Sequence, residues 1–335
     1  MSKQNNNHNN HSNDFKSLSF FVPIILTVAF SLCILLLPAS IQAKQPSENI
    51  IIVYQNSQSF SQQLISHLKK NIASRGYHVS TFILTPHKNQ EKLTLLKNTK
   101  HKLLIAIGSQ TTETLLKANI NSPILSALIP RYVYKTLQLQ YKNKKNWSSL
   151  LINQPLDRQF YLISAVLGKH KKTAVILGPN TKDLNQSLNK AAKKTSHSIS
   201  IQKIKNSKQL PKTLDSLQKN IDVILTIPDP VVYNKNTLRN ILLSSYRNRL
   251  PLIGFSQSYV RAGAIAAIYS KPKQISHQIT SIMKTFFTHG YFKKNIYYPD
   301  DFSVALNKNI ARSLGIKLAS NRAIIKHIKK AEKKQ

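Results

Sequence analysis

Asp229 sits between Pro228 and Pro230, in a chain that carries 12 acidic residues against 49 Lys and Arg. Proline fixes its own φ, so this stretch can aim a carboxylate. That carboxylate can pair with the amine of a small molecule, or cap a helix starting near Val231, since Asp accepts from free N–H groups at a helix start. Ser109 and Gln110 follow Gly108 where a helix is expected to begin. Free backbone N–H groups and the helix dipole suit an anionic group there, and capping is the plainer use of the same residues. Gln55, Asn56 and Ser57 occupy the matching place after the first apolar run, and Pro179 and Asn180 after the first run of the second half. Position rather than residue type marks them. Phe255, Ser256 and Gln257 open a further loop of this kind. Arg131 and Arg261 offer guanidinium groups able to grip an anion, or to tie loop to loop, and Tyr134 offers a stacking face.

Gly254-Phe255-Ser256-Gln257-Ser258 partly matches the Gly-x-Ser-x-Gly nucleophile elbow, so an exported serine hydrolase using Ser256 is the enzymatic alternative. The second glycine is replaced by Ser258, and no His or Asp is marked as partner. His277 and His289 fall on an amphipathic stretch, as surface or capping residues. No His-Glu-x-x-His or paired-carboxylate pattern occurs. The single cysteine, Cys33, excludes a Cys-ligated metal or cluster within the chain. Phosphate-cradling Gly-x-x-x-x-Gly-Lys-Ser/Thr and Gly-x-Gly-x-x-Gly are both missing. The expectation is no catalytic residue, no metal and no cofactor.

Ahead of these residues, positions 18–37 run without a charge, followed by Pro38 and by Ile41-Gln42-Ala43. This reads as a cleavable export segment over residues 1–43, with an uncleaved inner-membrane anchor as the alternative. The formal charge is +37, and only Lys3, Asp14 and Lys16 of the charged residues precede residue 44. The excess therefore belongs to the exported body of the chain. In the periplasm it would meet no nucleic acid, and it reads as a solvated lysine-rich surface. Peripheral contact with an anionic membrane is a further reading, centred on the basic segment 321–335.

From residue 50 short β-branched runs alternate with helical spacing. Strands are expected at 50–54, 79–84, 103–107, 123–128, 173–177, 199–204, 223–227 and 251–254, and helices between them. A less regular stretch, 132–147, separates two halves. Short apolar strands bounded by turns suit parallel sheets covered by helices on both faces, so the fold class is α/β with two Rossmann-like lobes. Ligands of such sheets lie beyond the carboxyl ends of the strands.

The chain also carries Ile227-Pro228-Asp229-Pro230-Val231-Val232-Tyr233-Asn234, Leu250 to Ser256, Tyr259-Val260-Arg261-Ala262-Gly263-Ala264, and Phe302 to Asn307 before Ala311-Arg312-Ser313-Leu314-Gly315-Ile316. Together these resemble the substrate-binding proteins of ABC transporters, in the family that includes periplasmic binders of tryptophan and other aromatic amino acids. The likeness spans roughly residues 48–320. Where many members have Asp-Pro after the fourth strand this chain has Pro130-Arg131, and the crossover segment reads Asn146-Trp147-Ser148-Ser149-Leu150-Leu151. Both features set it on a divergent branch. The resemblance implies a type I periplasmic-binding-protein fold with a ligand cleft between two lobes. Lobe one would comprise 48–153 with about 272–290, lobe two 154–271 with about 291–320, and 321–335 a basic tail. It further implies a monomer that captures a small molecule, amino-acid-like or anionic, and delivers it to an inner-membrane ABC permease, or serves a sensor without transport.

Overall fold

The computed structural model describes residues 50–55, 59–85, 89–99, 101–217 and 221–334. Residues 1–43, expected to be an export segment, and Asn56 and Ser57 lie outside the described residues. The chain first lays down β1 (Ile50–Gln55), α1 (Ser59–Ala73), β2 (Val79–Leu84), α2 (Gln90–Asn98), β3 (Leu103–Ile107), α3 (Ser109–Lys117), β4 (Ile124–Ile129), α4 (Arg131–Gln140) and β5 (Trp147–Leu151). It then builds α5 (Leu156–Leu167), β6 (Lys172–Leu177), α6 (Asn185–Lys194), β7 (Ser198–Lys203), α7 (Leu210–Ser216), β8 (Val223–Leu225), α8 (Lys235–Arg247), β9 (Leu252–Gly254), α9 (Gln257–Ala262) and β10 (Ala266–Tyr269). The last elements are α10 (Pro272–His289), β11 (Ile296–Tyr297), β12 (Ser303–Leu306), α11 (Lys308–Ser313) and α12 (Asn321–Lys333).

Two six-stranded sheets result, ordered β11-β5-β4-β3-β1-β2 and β12-β10-β9-β8-β6-β7. Every pairing is parallel except β10 with β12. The alternation of strand side chains explains why these runs are apolar throughout. Ile50 and Ile52 join Leu103 and Ile105 in the core on one face of the first sheet. Ile51 and Val53 join Leu104 and Ala106 in the core on the other. The second sheet repeats the arrangement, with Val175 and Leu177 on one side and Ala174 and Ile176 on the other.

Three expectations are corrected. Residues 132–147 are irregular only at 141–146: 131–140 form α4, which buries Tyr134 and Leu137, and Trp147 opens β5, an interior strand. Only two residues of α4 reach the core, too few for a readable helical period, and the serines of β5 masked its burial. Ile296–Tyr297 pairs with β5 in the first sheet, so the first lobe extends past residue 291. The basic 321–335 segment is no loose tail. Its Ile324 and Ile328 enter the core of the second lobe while its lysines face outward, an amphipathic helix with too few apolar residues to announce itself. Among the described residues no helix is long and apolar enough to cross a membrane.

The chain passes between lobes at 152–155, 270–271 and 298–302, and Arg158 ties these passages together. Its guanidinium, 5% exposed, donates to Gln154 Oε1 at 2.9 Å, to the Pro299 carbonyl at 2.7 Å and to the Asp300 carbonyl at 3.2 Å. Nε donates to Glu332 at 2.5 Å, and the group lies over the Phe302 ring at 4.6 Å. Gln154 Nε2 donates to Ser270 Oγ, which donates to the Asp301 carbonyl, at 2.9 and 2.6 Å. Removing the guanidinium strands several buried acceptors. Arg158→Met should therefore lower unfolding free energy by roughly 3 kcal/mol, read as a shifted denaturant midpoint at unchanged slope; a midpoint unmoved would show that the passages hold without it.

Candidate functional site

Parallel sheets put the end of β1 and the loops after β3 and β4 at one end of the first lobe and the loops after β6, β8 and β9 at one end of the second. These ends meet. Arg131 Nη1 of α4 donates to Asp183 Oδ2 of the second lobe at 2.8 Å, and Lys135 donates to the same oxygen. Arg131 and Lys135 stand four residues apart, on one face of α4. Burial works against the ionised Asp183, but the hydrogen bonds from Lys135 and Arg131, with their charges, hold its carboxyl below the ordinary value.

The backbone that presents Arg131 is irregular. Pairing of β4 with β5 shifts register between Ala127 and Ile129, and Leu128 takes φ of 60°, a left-handed angle unusual for a bulky residue. Such a bulge bends the strand end and re-aims the residues beyond it. The Arg131 N–H then donates to Asn153 Oδ1 of the first passage at 2.7 Å.

On the second lobe Asp229 is the organiser of two loops. It is 2% exposed. Its Oδ2 accepts from the Asn180 N–H at 3.0 Å and from Thr181 Oγ1 at 2.9 Å, and its Oδ1 from the Val231 N–H at 2.9 Å. A Cβ on Gly178 would stand 2.5 Å from Oδ1, so glycine there lets the β6 loop close against the carboxylate. The helix expected near Val231 begins instead at Lys235, capped by Asn234, whose side chain accepts from Asn236 and Thr237 N–H groups. Asp229 caps a turn ahead of it. Tyr132, beside Arg131 in the first lobe, has its phenol held above the ordinary value by burial and then by the charge of Asp229.

The other expected residues take varied places. Gln55 ends β1 half-buried; Ser109 is half-buried and Gln110 exposed at the start of α3. Gly108, at φ 91°, is the N-cap residue, and no side chain caps the helix, so Ser109 does not perform the capping expected of it. Pro179 is exposed and Asn180 half-buried. Phe255 packs on Tyr259 at 4.3 Å and on Tyr233 at 6.2 Å between ring centres. Ser256 has φ of −154°, an extended backbone rather than a strained elbow, and Gln257 is exposed. The buried His197 bonds Ser164 at 2.7 Å rather than Ser256. Tyr134 is no stacking face: it is buried against Trp147 at 5.0 Å. Arg261 reaches Ser258 on its own helix at 3.2 Å. Among the described residues no group of His, Cys, Asp or Glu could hold a metal ion.

A cavity of about 430 Å³ opens at the lobe junction, walled by Arg131, by Asn153, Gln154 and Tyr298 of the passages, and by α5, α6 and the Ile227-Pro228 turn. Of the expected site residues that are described, only Arg131 lines it. Lys135, Asp183, Gln154 and Gln159 were not singled out from sequence. The spacing of Lys135 four residues after Arg131 becomes a signal only once α4 is known to be helical, and the scarcity of acids was the one hint at Asp183.

The family model of ABC transporter substrate binding proteins matches residues 84–327, and the chain belongs to that family. Solved structures similar in fold include an ABC domain in complex with L-Trp from Streptococcus pneumonia, at 16% identity and TM-score 0.56 over 84% of this chain and 98% of that one. A ligand-free, open substrate-binding protein with adhesive properties from Clostridium difficile aligns at 17% identity and TM-score 0.65, over 82% and 97%. A conserved domain protein from Vibrio cholerae aligns at 19% identity and TM-score 0.56, over 84% and 98%. These likenesses establish the fold as that of type I periplasmic binding proteins. No curated protein matches by sequence.

The loop geometry makes two outcomes testable. Gly178→Ala should push the Asp229 carboxylate off its donors and cost roughly 1–3 kcal/mol of unfolding free energy, and much less in an Asp229→Ala background, the coupling being read from a double-mutant cycle. Because the folded Asp183 pKa is lowered, its pairing contributes fully above the ordinary carboxylate pKa of about 3.9 and is lost as pH falls through the lower folded value. The stability difference between the wild type and Asp183→Asn should hold steady from neutral pH to about pH 5 and shrink toward acid; a difference independent of pH down to strong acid would deny the pair any role.

Proposed function

We propose that this chain is an exported, non-enzymatic solute-binding protein that captures a small molecule between its lobes and delivers it to an ABC permease of the inner membrane. Membership of the substrate-binding family supports the reading. The observation that carries it is the cavity bounded at once by Arg131 of the first lobe, by the passages and by the second lobe. A molecule held there touches both lobes, so its binding favours the arrangement in which the lobes face each other, by as much as it prefers that arrangement. A permease that recognises the ligand-bound arrangement then distinguishes loaded from empty protein. Periplasmic localisation and a monomeric state belong to this reading, as does removal of the segment 1–43. Gln55, Asn56, Ser57, Ser109, Gln110, Pro179, Asn180, Phe255, Ser256 and Gln257 are proposed as the ligand-facing rim, and Asp229 as the residue that shapes the second lobe's share of it.

The test is a thermal-shift screen of the full chain with amino acids, organic acids, nucleosides and sugars. A ligand that binds only the folded state stabilises it by about 2.7 kcal/mol at a hundredfold excess over Kd. A saturable rise from one chemical class, with the solute recovered unchanged by mass spectrometry, is expected. Turnover of the solute, or a flat response to every class, would overturn the reading.

A further inference from the structure

We propose that the second lobe carries a further small-molecule site, at the end of its sheet away from the lobe junction, and that this site holds a single-chain aliphatic carboxylate. The inference goes beyond the solute-binding reading, and the site shares no lining residue with the junction cavity.

The site is a cavity of about 440 Å³ between α8, the end of α9 and α11, within the range of small-molecule sites, roughly 300–1,000 Å³. Topology separates it from the junction. Leu252 opens β9 and Gly263 stands just before β10, so the cavity lies at the amino ends of these parallel strands, whereas the junction gathers loops from carboxyl ends. Helix α11 reaches it because β12 runs antiparallel to β10. The walls are Leu238, Leu242, Leu252, Ile310 and Leu314. Gly263 has φ of 134°, and a Cβ there would stand 3.4 Å from Leu242 Cδ2, so glycine leaves this wall open. Leu243 and Tyr246 also line the cavity and are 44% and 58% exposed. Apolar surface thus runs from the interior over the rim, as at a binding face rather than at scattered exposed residues. The Ser245 hydroxyl is taken by the Leu250 carbonyl, so the walls ask for hydrocarbon.

Charge at the same cavity is the second, independent observation. Lys235 and Arg239 both line it, both are exposed, and they stand four residues apart on one face of α8. Neither pairs with a carboxylate among the described residues, in a chain whose 12 acids face 49 bases. Two such cations at the edge of an apolar cavity complement an anionic head on an apolar chain, and the guanidinium fork suits a carboxylate. The occupant is therefore an amphiphile with its head at Lys235 and Arg239 and its chain between α8 and α11. It touches only the second lobe. A ligand with equal affinity for two arrangements shifts neither, so this site fills whether the lobes are together or apart.

Calorimetric titration of the full chain with octanoate, decanoate and 1-octanol tests this. Decanoate should bind saturably at one site, each methylene beyond octanoate tightening binding about fourfold. The uncharged 1-octanol should bind about tenfold more weakly than octanoate. The double variant Lys235→Gln with Arg239→Gln, at two exposed positions, should weaken octanoate about tenfold and leave 1-octanol unchanged. Ala262→Trp, which fills the cavity from an exposed lining position, should lose the binding of all three. No binding of decanoate, equal binding of octanoate and 1-octanol, or unchanged binding in both variants overturns the proposal. Loss of decanoate binding in Arg131→Met also overturns it, by moving the ligand to the junction. Attachment to phosphatidylglycerol vesicles without binding of free decanoate does so too, by making this face a membrane contact.

Discussion

Arg158 is a buried cation, and it joins the passages that run between the two lobes. An unpaired buried guanidinium would be prohibitively costly, so its donors are met by Gln154, Pro299, Asp300 and Glu332 and its face by Phe302. Those partners come from two of the three passages between the lobes and from the C-terminal helix, and Gln154 adds the third passage through Ser270. The passages are thereby held side by side as one hinge. Gln278 extends the bond network from α10, donating to the Tyr298 carbonyl at 2.8 Å and accepting from the Asp300 N–H at 3.0 Å. The loops at the junction are positioned relative to this cluster.

On either side of that hinge the two lobes use different devices to present their loops. The first uses a bulge: the left-handed Leu128 turns the chain so that Arg131 leaves β4 facing the opposite lobe. The second uses a buried carboxylate, with Asp229 collecting donors from the loops after β6 and β8. Both are local departures from regular structure held in place by the surrounding sheet, and both lie where parallel strands end and helices begin. The interlobe contact they permit is an ion pair rather than an apolar seal, Arg131 and Lys135 against Asp183. A partly exposed ion pair is a weak tie between lobes.

The charge of the chain takes a different meaning in this light. With 49 basic and 12 acidic residues, most lysines face solvent, and the informative charges are the few acids. Asp183 bridges the lobes, Asp229 knits the second-lobe loops, Glu332 meets the hinge arginine, and Asp301 accepts from Gln274 at 2.9 Å and from Lys329 at 3.1 Å. In a chain so short of acids each buried or bridging carboxylate is tied to a particular piece of geometry.

The apolar runs at 50–54, 103–107 and 173–177 were legible because strands buried on both faces must be apolar at every position, and the alternation of runs with helices gave two parallel α/β lobes. Gly108 and the Pro228-Asp229-Pro230 turn marked strand ends for the same local reason: backbone angles and short-range caps are encoded by adjacent residues. What could not be read locally was decided by contacts distant in the chain. Helix α4 buries only Tyr134 and Leu137, and β5 hides its burial behind serines bonded elsewhere, Ser149 to Ser126 at 2.5 Å and Ser148 to the Lys294 carbonyl at 2.7 Å. Asp229 looked free to meet a ligand amine until Gly178, Asn180 and Thr181, some fifty residues earlier, were folded around it. Arg131 was legible as a charge, but its partner 52 residues away, the cavity it walls and the hinge at Arg158 arise only when two sheets are brought together. Sequence pattern determines elements through their own burial, and the site consists of groups from different elements whose meeting depends on the packing of the whole.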